Sequence, residues 1–311
     1  MKKPLGYLEK AAISVLAEDT IGFDTPFMGR FGLSILLETR AEGFEKTILY
    51  DTNSASEPIL RNLEILGKSL EAVSTIFLSH CHYDHSDGLP GVLEAIEHPV
   101  PVIAHPEIFR PCFEINPDGV RHIGIIAYNQ GDLEERGGIF TPVKTPLRIM
   151  AGVLTTGEIP RRTPFEELED LYTLQDGEVV QDHERDDSAL ILNFEQGLVI
   201  VTGCCHAGIV NTMMHAREIT GVDKVHAVIG GLHLIDASEE KVEKSIEALH
   251  EVDWVFAGHC TGFDAMRRMA DALGDRFAPI HSGSVIHFPI ADPGSPIFTI
   301  PTAARDLHRY A

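Results

Sequence analysis

Basic residues are scarce in this chain: 25 Lys and Arg stand against 47 Asp and Glu, a formal net charge of −22 over 311 residues. A phosphate backbone is held by clustered Lys and Arg, so the deficit argues against a nucleic-acid partner. It argues equally against an anionic membrane surface, though it leaves room for a local basic pocket. Cysteine is sparse too. Cys81, Cys112, Cys204, Cys205 and Cys260 form an odd, unevenly spaced set that describes no disulfide framework, and a chain of this length can bury a core without one. A cytoplasmic, reducing location is the expectation. No run reaches the roughly 20 apolar residues of a membrane span. Lys2 and Lys3 precede a short apolar run from Ala11 to Ala17, but Glu9-Lys10 interrupts the approach and Glu18-Asp19 follows at once, which disfavours a secretory leader. What is present is an ordinary globular balance, 44% hydrophobic and 23% charged.

Apolar runs at Ala12–Leu16, Ser34–Glu38, Thr47–Tyr50, Val73–Leu78 and Val100–Ala104 read as strands, and Ile59–Leu66 has helical spacing. Later, Ala189–Phe194 and Leu198–Val201 read as a hairpin. A helix is expected from Ile209 to Ile219 with Gly221 as its cap, then a strand at Val225–Ile229. Asp236-Ala-Ser-Glu239 resembles a capping box before a helix with Val242, Ile246 and Leu249 on one face, and Trp254–Ala257 is the next strand. Between these regions, residues 106–180 are rich in Pro, Gly and acidic residues, with short apolar runs. The expectation is one α/β domain over 1–311, with 106–180 an insertion that covers the site. Strands followed by strand–helix alternation, in both halves, suit two packed sheets with helices outside, although layer order does not follow from pattern alone.

Chemistry concentrates just after Val73–Leu78, where His80, His82, Asp84 and His85 fall within six residues. Imidazole nitrogen and carboxylate oxygen suit zinc, iron or manganese. At an extended strand end His80 and His82 point to the same side and can share one ion. A turn at Tyr83 then lets Asp84 and His85 face a second. A solvated polar loop is the plain alternative, and four ligand-type residues in this spacing argue against it. Cys81, between two such residues, should point away as a small buried hydrophobe. Arg161 and Arg162 follow Gly157-Glu-Ile-Pro160; Arg161 is the candidate fork for a substrate carboxylate or phosphate, against the alternative of a solvated loop pair. His98, His215, His226 and His250 read as ordinary surface or helix residues.

The run His-x-His-x-Asp-His at 80–85, with Leu78-Ser79 before it and Ser86-Asp-Gly-Leu-Pro90 after it, resembles the signature of the metallo-β-lactamase superfamily. Thr156–Arg161, Asp186-Asp187, Thr202–Asn211, Gly230–Leu234 and His259–Gly262 are similar to one subfamily. It is the archaeal and bacterial group named for dihydropterin-6-methyl-(ribofuranosyl)aminobenzene-5′-phosphate synthase. The resemblance spans roughly residues 11–290. It implies an αββα sandwich with a binuclear metal site at one edge and further ligands at downstream strand ends, His206 for the first ion and His259 for the second. His183, in the charged stretch Gln181–Asp187, competes with His206. A strand end can be aimed more rigidly than a charged loop, which favours His206. Where the superfamily places a bridging aspartate after Thr-Gly, this chain has Cys204, leaving open a thiolate ligand or a bridge of water alone. His233 is open between proton donor, substrate contact, metal contact and structural histidine.

The resemblance implies a metal-dependent hydrolase that uses a metal-bound hydroxide on an ester, thioester, lactone or phosphoester. Asp84 would orient the water and His233 protonate the leaving group. The cofactors expected are two divalent ions, zinc first and iron or manganese also suited to the donors. The partner is a small-molecule substrate. A pterin-related synthase and an iron-dependent redox enzyme are the alternatives.

Overall fold

The strands alternate with period two, yet both of their faces are apolar. In Ser34–Ala41, Ile35 and Leu37 enter one core and Leu36 another; in Gly197–Thr202, Val199 and Val201 enter one core and Leu198 and Ile200 another. Strands of this kind must be covered on both sides. A computed structural model describing residues 5–290 shows how; Lys2, Lys3 and the end of the expected domain, residues 291–311, lie outside the described residues. Ile13, Ile35 and Ile48 of one sheet meet Leu192, Val201, Ile229 and Phe256 of the other in a shared core. The outer face of the first sheet packs on helices Ser56–Leu66 and Leu89–Ala95 through Leu63, Leu66, Val92 and Leu93. Met213, Ile246 and Met269 pack helices Ile209–Thr220, Glu239–Leu249 and Phe263–Leu273 on the second. Three stacked cores make an αββα sandwich.

The first sheet runs Val285–Phe288, Lys10–Ala17, Ser34–Ala41, Phe44–Tyr50, Val73–Phe77, Val100–Ala104, Gly138–Pro142; the second runs Phe277–Pro279, Trp254–Ala257, Val225–Gly230, Gly197–Thr202, Leu190–Phe194, Val153–Thr155, Arg148–Met150. Parallel pairing aligns their ends. Tyr50 lies opposite Phe77 and Phe77 opposite Ile103; Thr202 lies opposite Gly230 and Gly230 opposite Ala257. The chain therefore leaves both sheets along one edge, and the loops that follow carry Asp51, His80–His85, Cys204–His206, His233 and His259. This is where open parallel sheets place their sites.

Two expectations change. Segment 106–180 divides: Gly138–Pro142 extends the first sheet, Arg148–Met150 and Val153–Thr155 extend the second, and only part of the segment stands apart. That part is a four-stranded sheet of Glu178–Gln181, Leu171–Gln175, Phe113–Asn116 and Gly119–His122. Edge strands of three residues carry too few apolar positions to declare themselves in sequence. The cap of helix Glu239–Leu249 is Ser238, whose hydroxyl accepts from Lys241 N, so the helix starts two residues later than expected and carries a single cap in place of the box expected at Asp236. Among the described residues no helix is long and apolar enough to cross a membrane.

Leu192 is fully buried between the sheets, whereas Phe44 is 73% exposed. Leu192→Ala should lower the unfolding free energy by about 2–5 kcal/mol, and Phe44→Ala by no more than about 0.5. Denaturant titrations of the two variants decide it; equal losses would contradict the sandwiched core.

Candidate metal centre

His80 follows strand Val73–Phe77 on an extended segment, and Tyr83–Ser86 then forms one helical turn. That geometry splits the motif into two groups. The rings of His80, His82 and His206 form a triangle with centroids 4.6, 4.7 and 4.8 Å apart. Their donor atoms lie within 4.8 Å of one another. His80 donates Nδ1–H towards Ser79 Oγ at 2.8 Å, and His82 uses Nε2 on Cys112 Sγ at 3.5 Å. Nε2 of His80 and Nε2 of His206 are buried with no hydrogen-bond partner. Buried polar atoms are seldom left this way, and a shared cation satisfies both.

The second group is Asp84, His85, Cys204 and His259, all buried. His85 Nε2 lies 3.1 Å from His259 Nε2 and 3.1 Å from Cys204 Sγ; Asp84 Oδ2 lies 3.2 Å from His259 Nε2. Each imidazole gives its other nitrogen to a carboxylate, His85 Nδ1 to Asp51 at 2.7 Å and His259 Nδ1 to Asp19 at 3.0 Å. Two Nε2 lone pairs at 3.1 Å repel unless a cation sits between them, a proton at the least or a metal ion. The donor set of nitrogen, oxygen and sulfur fits zinc or iron better than magnesium or calcium. The two groups touch, since the rings of His80 and His85 are 4.3 Å apart.

Buried acids surround both groups. Asp51 accepts from Ser79 N, Ser79 Oγ and His85 Nδ1, each at 2.7 Å. His206 Nδ1 sits 2.7 Å from Glu184 and 3.0 Å from Glu169. Burial alone would lower His206, but Glu184 and Glu169 overcome it and raise its pKa well above the usual range. Burial would likewise raise Asp84, yet His85 and His259 hold it below the usual carboxylate range. Such negative surroundings call for positive charge, which divalent ions supply. Carboxylates on the far ring nitrogen also fix tautomer and aim.

Both groups open on a cavity of about 730 Å³, lined among others by Phe31, Tyr83, Glu169, His233, Ile235 and Lys241. His233 gives Nε2 to Glu169 at 2.9 Å and leaves Nδ1 without a partner. Burial and His206 would lower its pKa; Cys260 and Glu169 prevail and raise it to about 9. Its donor atoms also fall within 4.8 Å of Cys204 and Cys260.

The structure thus brings together His80, His82, Asp84, His85, His206, His259 and Cys204, with His233 beside them. His183 is exposed and belongs to none of these groups. Arg161 does not offer a fork to a substrate: its guanidinium binds Glu184 at 2.9 Å and the carbonyls of Glu166 and Glu167, and it does not line the cavity. Glu184 needs that partner because it is buried beside His206. Cys81 is buried as a small side chain should be, but its thiol meets Cys112, which in turn touches His82. Sequence reasoning missed Asp19, Asp51, Glu169 and Glu184. Only Asp51 carried a signal, in the Asp-Thr-Asn that ends a strand.

His206→Ala should lower metal content at the His80–His82 group, and His183→Ala should not, as read by elemental analysis of protein purified without chelator. Metal retained in the first variant and lost in the second would reverse the assignment. Asp51→Asn should weaken metal affinity about 10–100-fold, the usual effect of losing a carboxylate behind a ligand; unchanged affinity in a competition titration with a chromophoric chelator would remove Asp51 from this role.

Comparisons with known proteins bear on the family and the fold. The model of the Metallo-beta-lactamase superfamily matches residues 28–164. A protein of Methanocaldococcus jannaschii named 7,8-dihydropterin-6-methyl-4-(beta-D-ribofuranosyl)-aminobenzene-5′-phosphate synthase is 38% identical over 290 residues, 91% of this chain and 99% of its own length. An uncharacterized protein of the same organism is 30% identical over 84% of this chain and 94% of its own. Among solved structures, a metal-dependent hydrolase of the beta-lactamase superfamily shares the fold with a TM-score of 0.72 at 23% identity, over 89% of this chain and 98% of that one. The chain belongs to the metallo-beta-lactamase superfamily.

Proposed function

We propose that the chain is a metal-dependent hydrolase of small-molecule esters, thioesters, lactones or phosphoesters, with two divalent ions. The first would be held by His80, His82 and His206, the second by Asp84, His85, His259 and Cys204. The observation that carries this reading is the convergence of two adjoining donor groups on one cavity. When bound, divalent ions supply Lewis acidity at a carbonyl or phosphoryl oxygen and lower the pKa of a bound water towards neutrality. Zinc is the first choice, with iron or manganese compatible.

The chain supplies position and protons. Asp84 is an ionised carboxylate at the cavity wall, able to orient an attacking water as well as bind an ion. His233, held at Nε2 by Glu169 and without a hydrogen-bond partner at Nδ1, is placed to give a proton to the leaving group. Glu169 holds His233 and His206 together, so proton transfer and metal binding share one support. Phe31 and Ile235 line the same cavity and would hold the apolar part of a substrate.

One observation favours a second reading. The methanogen relative, 38% identical over nearly its whole length, is named as a pterin-related synthase. The same cavity would then join two substrates.

Metal-loaded protein should hydrolyse at least one member of an ester, thioester, lactone and phosphoester panel, and a chelator should abolish this. Asp84→Asn should lower kcat about 100-fold or more, the scale of losing a positioned acid–base group, with the melting temperature retained. No hydrolysis across the panel by protein of full metal content would end the hydrolase reading. A pterin adduct formed instead by that protein would establish the synthase.

A further inference from the structure

We propose that Cys204 and Cys260 form a reversible dithiol–disulfide pair at the cavity wall, oxidised by a hydroperoxide, and that the disulfide removes Cys204 from the second donor group. The consequence for metal rests on the reading above that Cys204 is a donor to the second ion. Both residues follow strands of the second sheet that lie on either side of Val225–Gly230, Cys204 after Gly197–Thr202 and Cys260 after Trp254–Ala257. Strands two apart in a sheet are separated by about 9–10 Å. The two sulfurs nevertheless lie within 4.8 Å of one another, and Cys260 Sγ donates to the carbonyl of Cys204 at 3.6 Å. The strand between them ends in Gly230-Gly231, which has no side chain to fill the gap. A Cβ on Gly231 would lie 2.6 Å from Cys260 Sγ and 3.4 Å from Cys204 Cα, so glycine at this position is what admits the sulfur.

All five cysteines are free thiols, and this pair alone combines proximity with access. Cys204 and Cys260 both line the cavity, and Cys260 is partly exposed. Cys81 and Cys112 also have their sulfurs within 4.8 Å, but both are fully buried and neither lines the cavity. Cys205 is buried with its sulfur on Thr212 Oγ1 at 3.4 Å. Susceptibility to oxidation rises with exposure, so a hydroperoxide entering the cavity meets Cys260 first, with Cys204 behind it as the resolving thiol.

One hydrogen peroxide and the two thiols balance the reaction. Cys260 sulfur attacks the peroxide: an S–O bond forms, the O–O bond breaks, and the thiol proton leaves with the other oxygen as water. Cys204 sulfur then attacks Cys260 sulfur. The S–S bond forms, the S–O bond breaks, and the departing hydroxide takes the Cys204 proton as a second water. The thiols lose two electrons, the peroxide gains them, and a dithiol reductant restores both thiols. The bond consumes the Cys204 thiol, whose sulfur lies 3.1 Å from His85 Nε2 and 3.5 Å from His259 Nε2. A disulfide sulfur has no negative charge to offer a cation, because the ligand is the thiolate. The second group is left with Asp84, His85 and His259.

The test treats metal-loaded protein with hydrogen peroxide, alkylates the remaining thiols after unfolding, and maps the tryptic peptides by mass spectrometry. Peptides 186–217 and 245–267 should appear joined, with fragmentation placing the bond at Cys204 and Cys260, and dithiothreitol should part them. In a competition titration with a chromophoric chelator the oxidised protein should hold one ion at least about tenfold more weakly, the lower end of what losing the support behind a ligand costs. Reduction should restore that affinity. Cys260→Ala should neither cross-link nor lose affinity under the same oxidant. No joined peptide, a bond at Cys205 or between Cys81 and Cys112 instead, sulfinic acid at Cys260 in place of the bond, or a bond formed with metal affinity unchanged would each overturn the proposal. Should Cys260→Ala fail to fold, the time course on the native protein decides it: cross-link and metal release must advance together, and release without the cross-link overturns the pair. The bond is read by mass and not by turnover, so the two readings fail separately. A reversible, metal-releasing bond in a protein that hydrolyses nothing ends the hydrolase alone; hydrolysis without the bond ends the pair alone.

Discussion

A single buried carboxylate, that of Asp51, organises the candidate metal centre. It stands at the end of strand Phe44–Tyr50 with φ of 54°, fully buried, and accepts from the backbone and hydroxyl of Ser79 and from His85. Through His85 it fixes one tautomer directly. Through Ser79, whose hydroxyl donates to Asp51 and so accepts from His80, it fixes another. Each ring then turns Nε2 to its donor group, His85 to His259 and Cys204, and His80 to the buried space it shares with His82 and His206. The second sheet must approach this arrangement closely. A Cβ on Gly203 would lie 2.2 Å from Ser79 Oγ and 2.9 Å from Asp51 Oδ2, so only glycine allows Thr202-Gly203-Cys204 to pass. An unpaired buried charge costs several kcal/mol; three donors make Asp51 tolerable, and they are the same donors that aim the ligands.

Cys204 sets the character of the second group. Its sulfur is 3.1 Å from His85 Nε2 and 3.5 Å from His259 Nε2, the position in which a hard bridging carboxylate is expected from the family resemblance. Burial raises its pKa well above the usual thiol range, so the thiolate is stable there only against a cation. Protonation state and metal occupancy are therefore coupled at this atom, and a thiolate favours softer ions over oxygen-seeking ones. As a candidate donor, Cys204 would bias the group towards softer ions.

What could be read from the sequence followed chain proximity. His80, His82, Asp84 and His85 announce themselves because they are neighbours after a strand, and the strand ends that carry His206 and His259 are apolar and regular. The supporting acids carry no such mark. Asp19 is 240 residues from His259, and Asp51 is 34 from His85; a lone carboxylate reads the same whether it faces water or a buried imidazole. Arg161 shows the same limit from the other side. Its direction is decided by Glu184, 23 residues away, and not by the Gly-Glu-Ile-Pro that precedes it. Within 106–180, strands such as Arg148–Met150 take their identity from the sheet they join, through pairing that periodicity cannot express.

The backbone at the site is held in conformations that most residues avoid. Asp51, Asn53, Glu184, Cys205, His233 and His259 all have positive φ, from 44° at His233 to 64° at Cys205, and each lies in or beside the metal centre. A side chain in this region costs on the order of 1–3 kcal/mol and persists only where surrounding contacts over-determine it. Here those contacts are identifiable: His259 N donates to Glu18, Glu184 N to Asp182, and the carbonyl of Cys205 accepts from Gly208 N. Left-handed turns let a strand end reverse within one residue, so that His233 and His259 reach the cavity instead of continuing past the sheet edge. The two sheets thus hold the strained turns in place, and the turns in turn bring candidate donors from both sheets within 4.8 Å of one another.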